Sequence, residues 1–345
     1  VGLFFLLAGF YFCLPEPLFE KPTSFVVESR KGELLSASIA GDGQWRFPQS
    51  DSIPYKFRKC IIAFEDKRFY KHPGIDLLSI ARAVKQNMLR KRIVSGGSTL
   101  SMQVIRLSGA NKRTFGNKIL EAIKALRLEC RYSKEEILSL YAANAPFGTN
   151  VVGLEAASWR YYGRSPHQLS WGETAALAVL PNSPSLVHPG RNRERLKQKR
   201  NRLIDNLQQQ DILTKEEAEL AKLEPVPDKP LPLPEEAPHL LSLLKKDYKK
   251  NKILTTRIKS SLESALQQQT SSILSQHQKL LSANQINNCA ALILDVETGE
   301  ALAYCGNVYQ PKNADIESHV DVIQAPRSPG STLKPLLYAA MMNEG

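Results

Sequence analysis

The spacing of apolar residues changes several times along the chain. Val1 to Leu14 is apolar throughout and runs into Pro15-Glu16-Pro17. A membrane-spanning helix needs about 20 such residues. The run is therefore expected to be the end of an anchor that begins upstream, with a signal-peptide core or a buried strand as the alternatives. Residues 24–49 alternate as strands do: Ser24 to Glu28, a turn at Lys31-Gly32, Leu34 to Ala40, a turn at Gly41-Asp42-Gly43, and Trp45 to Pro48. From Ser52 to Leu223 the period becomes helical. Thr114 to Arg131 carries apolar residues at 119, 120, 123, 126 and 128. Ser133/Glu136, Ser170/Glu173 and Thr214/Glu217 are capping boxes that open three helices, the second of which stops at Pro181. Arg191 to Arg202 is a basic helical stretch, expected to be a solvated face.

Six prolines between Glu224 and Pro238 mark a linker. Beyond it, Ile253 to Gln278 reads as a strand and a polar helix. Cys289 to Gly306 is a hairpin turning at Glu297-Thr298-Gly299-Glu300, and a helix begins near Ser331. The expected organisation is an anchor remnant at 1–14, a β element at 15–50, a helical domain at 51–223, a linker and connecting segment at 224–285, and the start of another domain at 286–345.

Composition narrows the picture only a little. At 345 residues the chain has room for two cores, and 42% hydrophobic with 23% charged residues is ordinary for a globular protein. The net charge of +12 predicts an anionic partner, and nucleic acid, an acidic membrane surface and a pyrophosphate-bearing lipid all satisfy it. The five cysteines are scattered without a C-x-x-C pair, which disfavours a zinc site or a disulfide framework.

Three clusters could carry chemistry. Glu65 and Asp66 point in different directions on a helix, beside aromatic residues and a His72-Pro73-Gly74 turn; one of them could be a base of raised pKa, or the two could be a surface pair with a structural histidine. Ser95-Gly96-Gly97-Ser98-Thr99 leads into a helical run and could offer backbone N–H groups to an anion, but it is not a Walker loop. Arg106, Arg113, Lys118 and Glu121 follow, with Lys118 and Glu121 at i,i+3 and so on one helix face.

In this order the pieces resemble the family 51 glycosyltransferases of bacterial cell-wall synthesis. The motifs are Glu65-Asp66-x-x-Phe69-x-x-His72-x-Gly74, then Gly96-Gly97-Ser98-Thr99-x-x-x-Gln103, then Lys118-x-x-Glu121. Tyr141 to Gly148 with Gly153 to Ala157 resembles a fourth motif, and Ala175 to Ser185 a fifth. Thr99 to Leu107, Asn144 to Gly148 and Arg327 to Pro335 are similar to one subfamily of bifunctional penicillin-binding proteins. Asn117 stands where the family pattern has an arginine, so that arginine's role does not carry over. Ser101-Met102-Gln103 replaces Thr-Gln-Gln, which removes one glutamine.

The resemblance implies a mainly α, lysozyme-like glycosyltransferase domain, a small N-terminal β element, and the beginning of an α/β penicillin-binding transpeptidase domain. It implies polymerisation of lipid II into glycan strands with release of polyprenyl diphosphate. Glu65 matches the catalytic base and Glu121 the second essential acid. Arg106, Arg113 and Lys118 match cations at the leaving group. Ser98, Thr99, Gln103 and Asn144 match substrate contacts. Mg2+ fits at the diphosphate, although no residue spacing demands it. Val84 to Ile93 is a candidate membrane-dipping segment, with an ordinary cationic helix end as the alternative. Ser331-Thr332-Leu333-Lys334 is an S-x-x-K sequence in which Ser331 would be the acyl nucleophile and Lys334 its base in a longer chain. Expected partners are lipid II, the growing strand, the membrane and other cell-wall synthesis proteins, and not nucleic acid. The expected place is the cytoplasmic membrane, crossed once, with the catalytic domains on the periplasmic side. A lysozyme-like hydrolase and a catalytically weak membrane scaffold are the rival readings.

Overall fold

A computed structural model describes residues 2–50, 52–90, 96–109, 114–148, 150–182, 192–253, 255–313, 316–326 and 328–344. The fold is mainly helical with a few short strands. It divides into two compact units: residues 1–26, 37–234 and 255–258 form the first, and 27–36, 235–254 and 259–345 the second.

The first unit is built around a helix with no polar face. In α8 (Trp171–Val179) every residue from Thr174 to Val179 is buried, as an apolar stripe running all the way round requires. Ala175, Ala176 and Ala178 keep α8 thin, and α2 (Tyr55–Glu65) and α9 (Arg193–Gln209) pack against it. At Gly172 a Cβ would lie 2.5 Å from the Ala221 carbonyl oxygen of α10 (Lys215–Leu223), so only glycine permits that approach. A second cluster packs α4 (Leu100–Ser108) against α5 (Phe115–Arg131) and α6 (Lys134–Asn144). The unit also contains α3 (Leu77–Leu89) and α7 (Leu154–Tyr162). Parallel strands β3 (Trp45–Arg46) and β4 (Val151–Val152) pair Trp45 with Val151.

All three capping boxes form: Ser133, Ser170 and Thr214 each accept from the backbone of the glutamate three residues on, which returns the bond. The basic stretch departs from its expectation. Its helix runs on to Gln209, and the face is not wholly solvated. Arg200 is fully buried, donating to the carbonyls of Glu224 at 2.7 Å and Lys222 at 2.9 Å. Five guanidinium N–H groups can close the open carbonyl end of α10 where an ammonium would reach fewer. The proline-rich segment is also held down, since Val226 is buried and Leu231 donates its N–H to the Arg160 carbonyl of α7.

At the N-terminus α1 (Gly2–Tyr11) lies along α5, with the Arg127 guanidinium 4.7 Å from the Tyr11 ring centre. Among the described residues no helix is long and apolar enough to cross a membrane.

In the second unit Leu35, Ala237, Leu262 and Tyr304 form a core cluster. It is drawn from the strand after the Lys31-Gly32 turn, from the start of α11 (Pro238–Lys249), from before α12 (Ser264–Leu281), and from the hairpin of β6 (Ala291–Leu294) and β7 (Ala301–Cys305). Gln267 is fully buried and fully used. Its amide donates to the carbonyls of Glu236 and Tyr304, and its oxygen accepts the Tyr304 N–H at 2.7 Å. Such satisfaction is what makes a buried amide tolerable. The predicted hairpin is present, and Gly299 takes a φ of +72° in its turn. The cysteines are free.

Candidate active site

The first motif spends its two acids differently. Glu65 is the last residue of α2, and Asp66 caps that helix end. Asp66 is buried and receives the Leu100 N–H at 3.0 Å and the His72 ring nitrogen Nε2 at 3.0 Å. The Gly74 N–H donates to His72 Nδ1, so Nε2 carries the proton it shares with Asp66. This pair is structural: it ties the end of α2 to the start of α4. Gly74 has a φ of +101°, and a Cβ there would meet the Ala125 carbonyl oxygen at 2.7 Å. Neither the backbone angle nor the space admits another residue.

Thr99 is the N-cap of α4. Its hydroxyl donates to the Gly74 carbonyl at 2.6 Å and accepts the Met102 N–H at 3.2 Å, and the residue is buried. The structure thus gives it a capping task that occupies its oxygen. Ser98, just before, accepts from Arg106 at 3.4 Å.

Helix α4 joins the two glutamates. Gln103 and Arg106 are three apart and share a face. The Gln103 amide donates to Glu65 Oε2 at 2.7 Å. Arg106 grips Glu121 of α5 through Nε at 3.2 and 3.3 Å and through Nη2 at 3.0 Å. Glu121 is 6% exposed, so this charge-assisted pair is what makes its burial affordable. Lys118, the expected partner of Glu121, is exposed instead, and among the described residues no ion pair joins them.

Burial raises the Glu65 carboxyl above its usual range; the bonds from Gln103 and Asn182 and the charges of Lys199 and Arg106 oppose that rise without cancelling it. A carboxylate so poised accepts a proton more readily than one in water. Tyr141 of α6 closes the same neighbourhood, its hydroxyl pushed well above the ordinary phenol range by burial and by the Glu65 charge.

Glu65, Gln103, Arg106, Ser98 and Glu121 are therefore brought together. Asn144 is not joined to them; its amide donates to the Leu140 carbonyl at 2.9 Å and closes α6. Arg113 lies outside the described residues, as do residues 91–93 of the expected membrane-dipping segment and Arg327. Ser331 sits in a short 3-10 turn (Gly330–Leu333) and Lys334 opens α13 (Lys334–Glu344); both are exposed. One contact with Glu65, and the residue behind it, were not assigned from sequence. Asn182 donates to Glu65 Oε1 at 3.3 Å, and Lys199 donates to Asn182 Oδ1 at 3.3 Å. Asn182 follows Pro181 in the fifth motif, while Lys199 is hidden in the basic stretch of α9.

Residues 32–208 match the family model described as Transglycosylase, and residues 289–345 match that of the penicillin binding protein transpeptidase domain. The chain is 36% identical to Penicillin-binding protein 1C of Escherichia coli (strain K12), covering 96% of this chain and 42% of that protein. It is 30% identical to Penicillin-binding protein 1F of Bacillus subtilis (strain 168), covering 100% of this chain and 48% of that protein. The chain thus spans less than half the length of these relatives. A crystal structure of Penicillin-Binding Protein 1A from Haemophilus influenzae aligns with a TM-score of 0.35 and 15% identity, over 82% of this chain and 38% of that one. The subfamily that the variants at 99–107, 144–148 and 327–335 resemble is that of Penicillin-binding protein 1C. On the match over residues 32–208, with both glutamates arrayed along α4, the chain belongs to the transglycosylase family.

Proposed function

We propose that the first unit is a peptidoglycan glycosyltransferase that polymerises lipid II. The observation that carries this reading is the α4 platform, which holds a carboxylate of raised pKa, Glu65, in the electrostatic reach of the Arg106–Glu121 pair. In the proposed step the 4-hydroxyl oxygen of an acceptor sugar bonds to the anomeric carbon of the growing chain. The bond from that carbon to the diphosphate oxygen breaks, and its electron pair leaves with the diphosphate. Glu65 takes the hydroxyl proton. Diphosphate departs as an anion, so cations serve it better than a strong acid would. In this reading Arg106 does that work, with Arg113 and Lys118 assigned to it from the sequence. Glu121 orients Arg106.

A magnesium ion belongs to this reading only as a companion of the substrate's diphosphate. Among the described residues no group of three His, Cys, Asp or Glu could hold a metal, and both Glu121 oxygens are engaged by Arg106. Mg2+ is commonly held by one or two carboxylates plus phosphates.

The proposed setting is the periplasmic face of the cytoplasmic membrane. What supports contact with a membrane surface is the exposed row Leu77, Leu78, Val84, Met88 and Leu89 on α3, interleaved with Arg82 and Lys85, a composition suited to a lipid headgroup layer. In a longer chain Ser331 would be acylated through its hydroxyl by β-lactams. The test of the main reading is to incubate the chain with lipid II in detergent. Long glycan and free polyprenyl diphosphate are expected; no polymer, together with short muropeptides released in a parallel incubation with preformed glycan, would point to hydrolysis instead.

A further inference from the structure

Glu65 stands where a carboxylate is least at ease. It ends α2, at the negative pole of that helix, and it is partly buried. Each of its oxygens receives one side-chain donor. Gln103 serves Oε2 at 2.7 Å and Asn182 serves Oε1 at 3.3 Å. The second donor comes with its own orienting group. An asparagine amide can present either its NH2 or its oxygen, and the two differ by a simple flip. Here Lys199 donates to Asn182 Oδ1 at 3.3 Å. With the oxygen turned to an ammonium, only the NH2 can face Glu65. Among the described residues no carboxylate forms an ion pair with Lys199, so its charge faces Glu65 through one amide.

We propose that Asn182 and Lys199 are positioning residues for Glu65: a two-member chain, reaching in from α9, that aims the carboxylate and keeps it ready to accept a proton. The inference rests on the glycosyltransferase reading above. Neither residue touches the reacting atoms.

The groups around Glu65 set the expected pH effect. Asp66 adjoins it at the end of α2, Arg106 and Gln103 face it from α4, and Tyr141 faces it from α6. On α9 Lys199 faces it with Arg195 behind, and burial with the Arg195 charge draws the Lys199 ammonium below its usual range. Removing Lys199 deletes a cation that favours the ionised carboxylate and frees the Asn182 amide to flip its oxygen toward it. Both changes raise the Glu65 pKa further. Because the base must be ionised to work, the acid limb of the rate profile must move to higher pH.

The test is the pH dependence of kcat/KM for lipid II polymerisation by the full chain, with wild type, Asn182→Leu, Lys199→Met and Lys199→Arg compared. Asn182→Leu and Lys199→Met should each move the acid limb upward by about half a unit or more, roughly a threefold or larger loss on the acid side. Rates should converge toward wild type at high pH. Lys199→Arg should restore the wild-type limb, and the double variant Asn182→Leu/Lys199→Met should be no worse than the more affected single variant. Limbs that coincide with wild type, or a loss of the same size at every pH, would overturn the proposal. Glu65→Gln is assayed alongside. If it polymerises normally, the glycosyltransferase reading of Glu65 itself falls. If it is inert while Asn182→Leu and Lys199→Met both keep the wild-type limb, only the positioning chain is refuted.

Discussion

Glu65 shows how a site can be set against stability. Its carboxyl is held above the ordinary range chiefly by burial. Between the ordinary value of 4.5 and the raised one, the folded protein binds a proton that the unfolded chain has already released. Stability therefore falls as pH rises through that window and levels off above it. Glu65→Gln should match wild type in thermal unfolding near about pH 4 and be at least as stable near about pH 8, with polymerisation lost. A variant less stable than wild type at the higher pH would contradict the assignment of burial as the dominant cause. Arg106 makes the opposite case. Arg106→Leu leaves Glu121 buried without its donors and should lower unfolding free energy by about 2–4 kcal/mol, with Arg106→Lys intermediate because one ammonium cannot reproduce the forked grip. Urea unfolding of the three proteins checks this. At this scale the sequence exposed Glu65, Gln103, Arg106 and Glu121, because a motif keeps chemistry-bearing residues at fixed spacing. It did not expose Lys199, whose partner Asn182 lies on a different segment and which sits in a stretch crowded with other cations, Arg195, Lys197, Arg200 and Arg202. Nor did it distinguish the substrate contact expected of Thr99 from the cap that the structure assigns to its hydroxyl.

At the scale of elements, α4 is the part on which the site depends. Its N-cap sets the rotation of the helix, and that rotation sends Gln103 to one glutamate and Arg106 to the other. Thr99→Ala and Thr214→Ala each remove a capping oxygen and should each cost about 1 kcal/mol. Only the first should also reduce polymerisation, by about tenfold or more, since α10 holds no site residue. Equal activity in the two variants would detach the cap from the chemistry. Helix starts were legible because a capping box is written within four residues, as Ser133, Ser170 and Thr214 all show. The buried face of α9 was not legible. Arg200 reads as one more basic residue until α10 brings its open carbonyls within 2.9 Å. Long-range packing decided that, and nothing local announced it.

Over the whole molecule, the first unit gathers α2, α8 and α9 into one core and sets the Glu65 carboxyl at the end of α2. Arg200 pins α10 onto that core. Arg200→Met should cost about 3 kcal/mol, because the Glu224 and Lys222 carbonyls lose their donors, while the second unit's own core of Leu35, Ala237, Leu262 and Tyr304 is untouched. Hydrogen exchange should then show faster opening across α9 and α10 with the β6–β7 hairpin unchanged; uniform loosening would contradict that division. The family and the mainly helical fold were legible in the ordered series of motifs. The grouping of residues 27–36 with 235–254 and 259–345 was not, because a core that draws Leu35, Ala237, Leu262 and Tyr304 from distant segments leaves no local periodicity. The most direct test of the account is a single-turnover assay with purified lipid II that compares wild type and Glu65→Gln at matched binding. The account predicts glycosidic bond formation and polyprenyl diphosphate release by wild type, and bound but unreacted lipid II in the variant. Comparable bond formation by both would show that Glu65 is not the base.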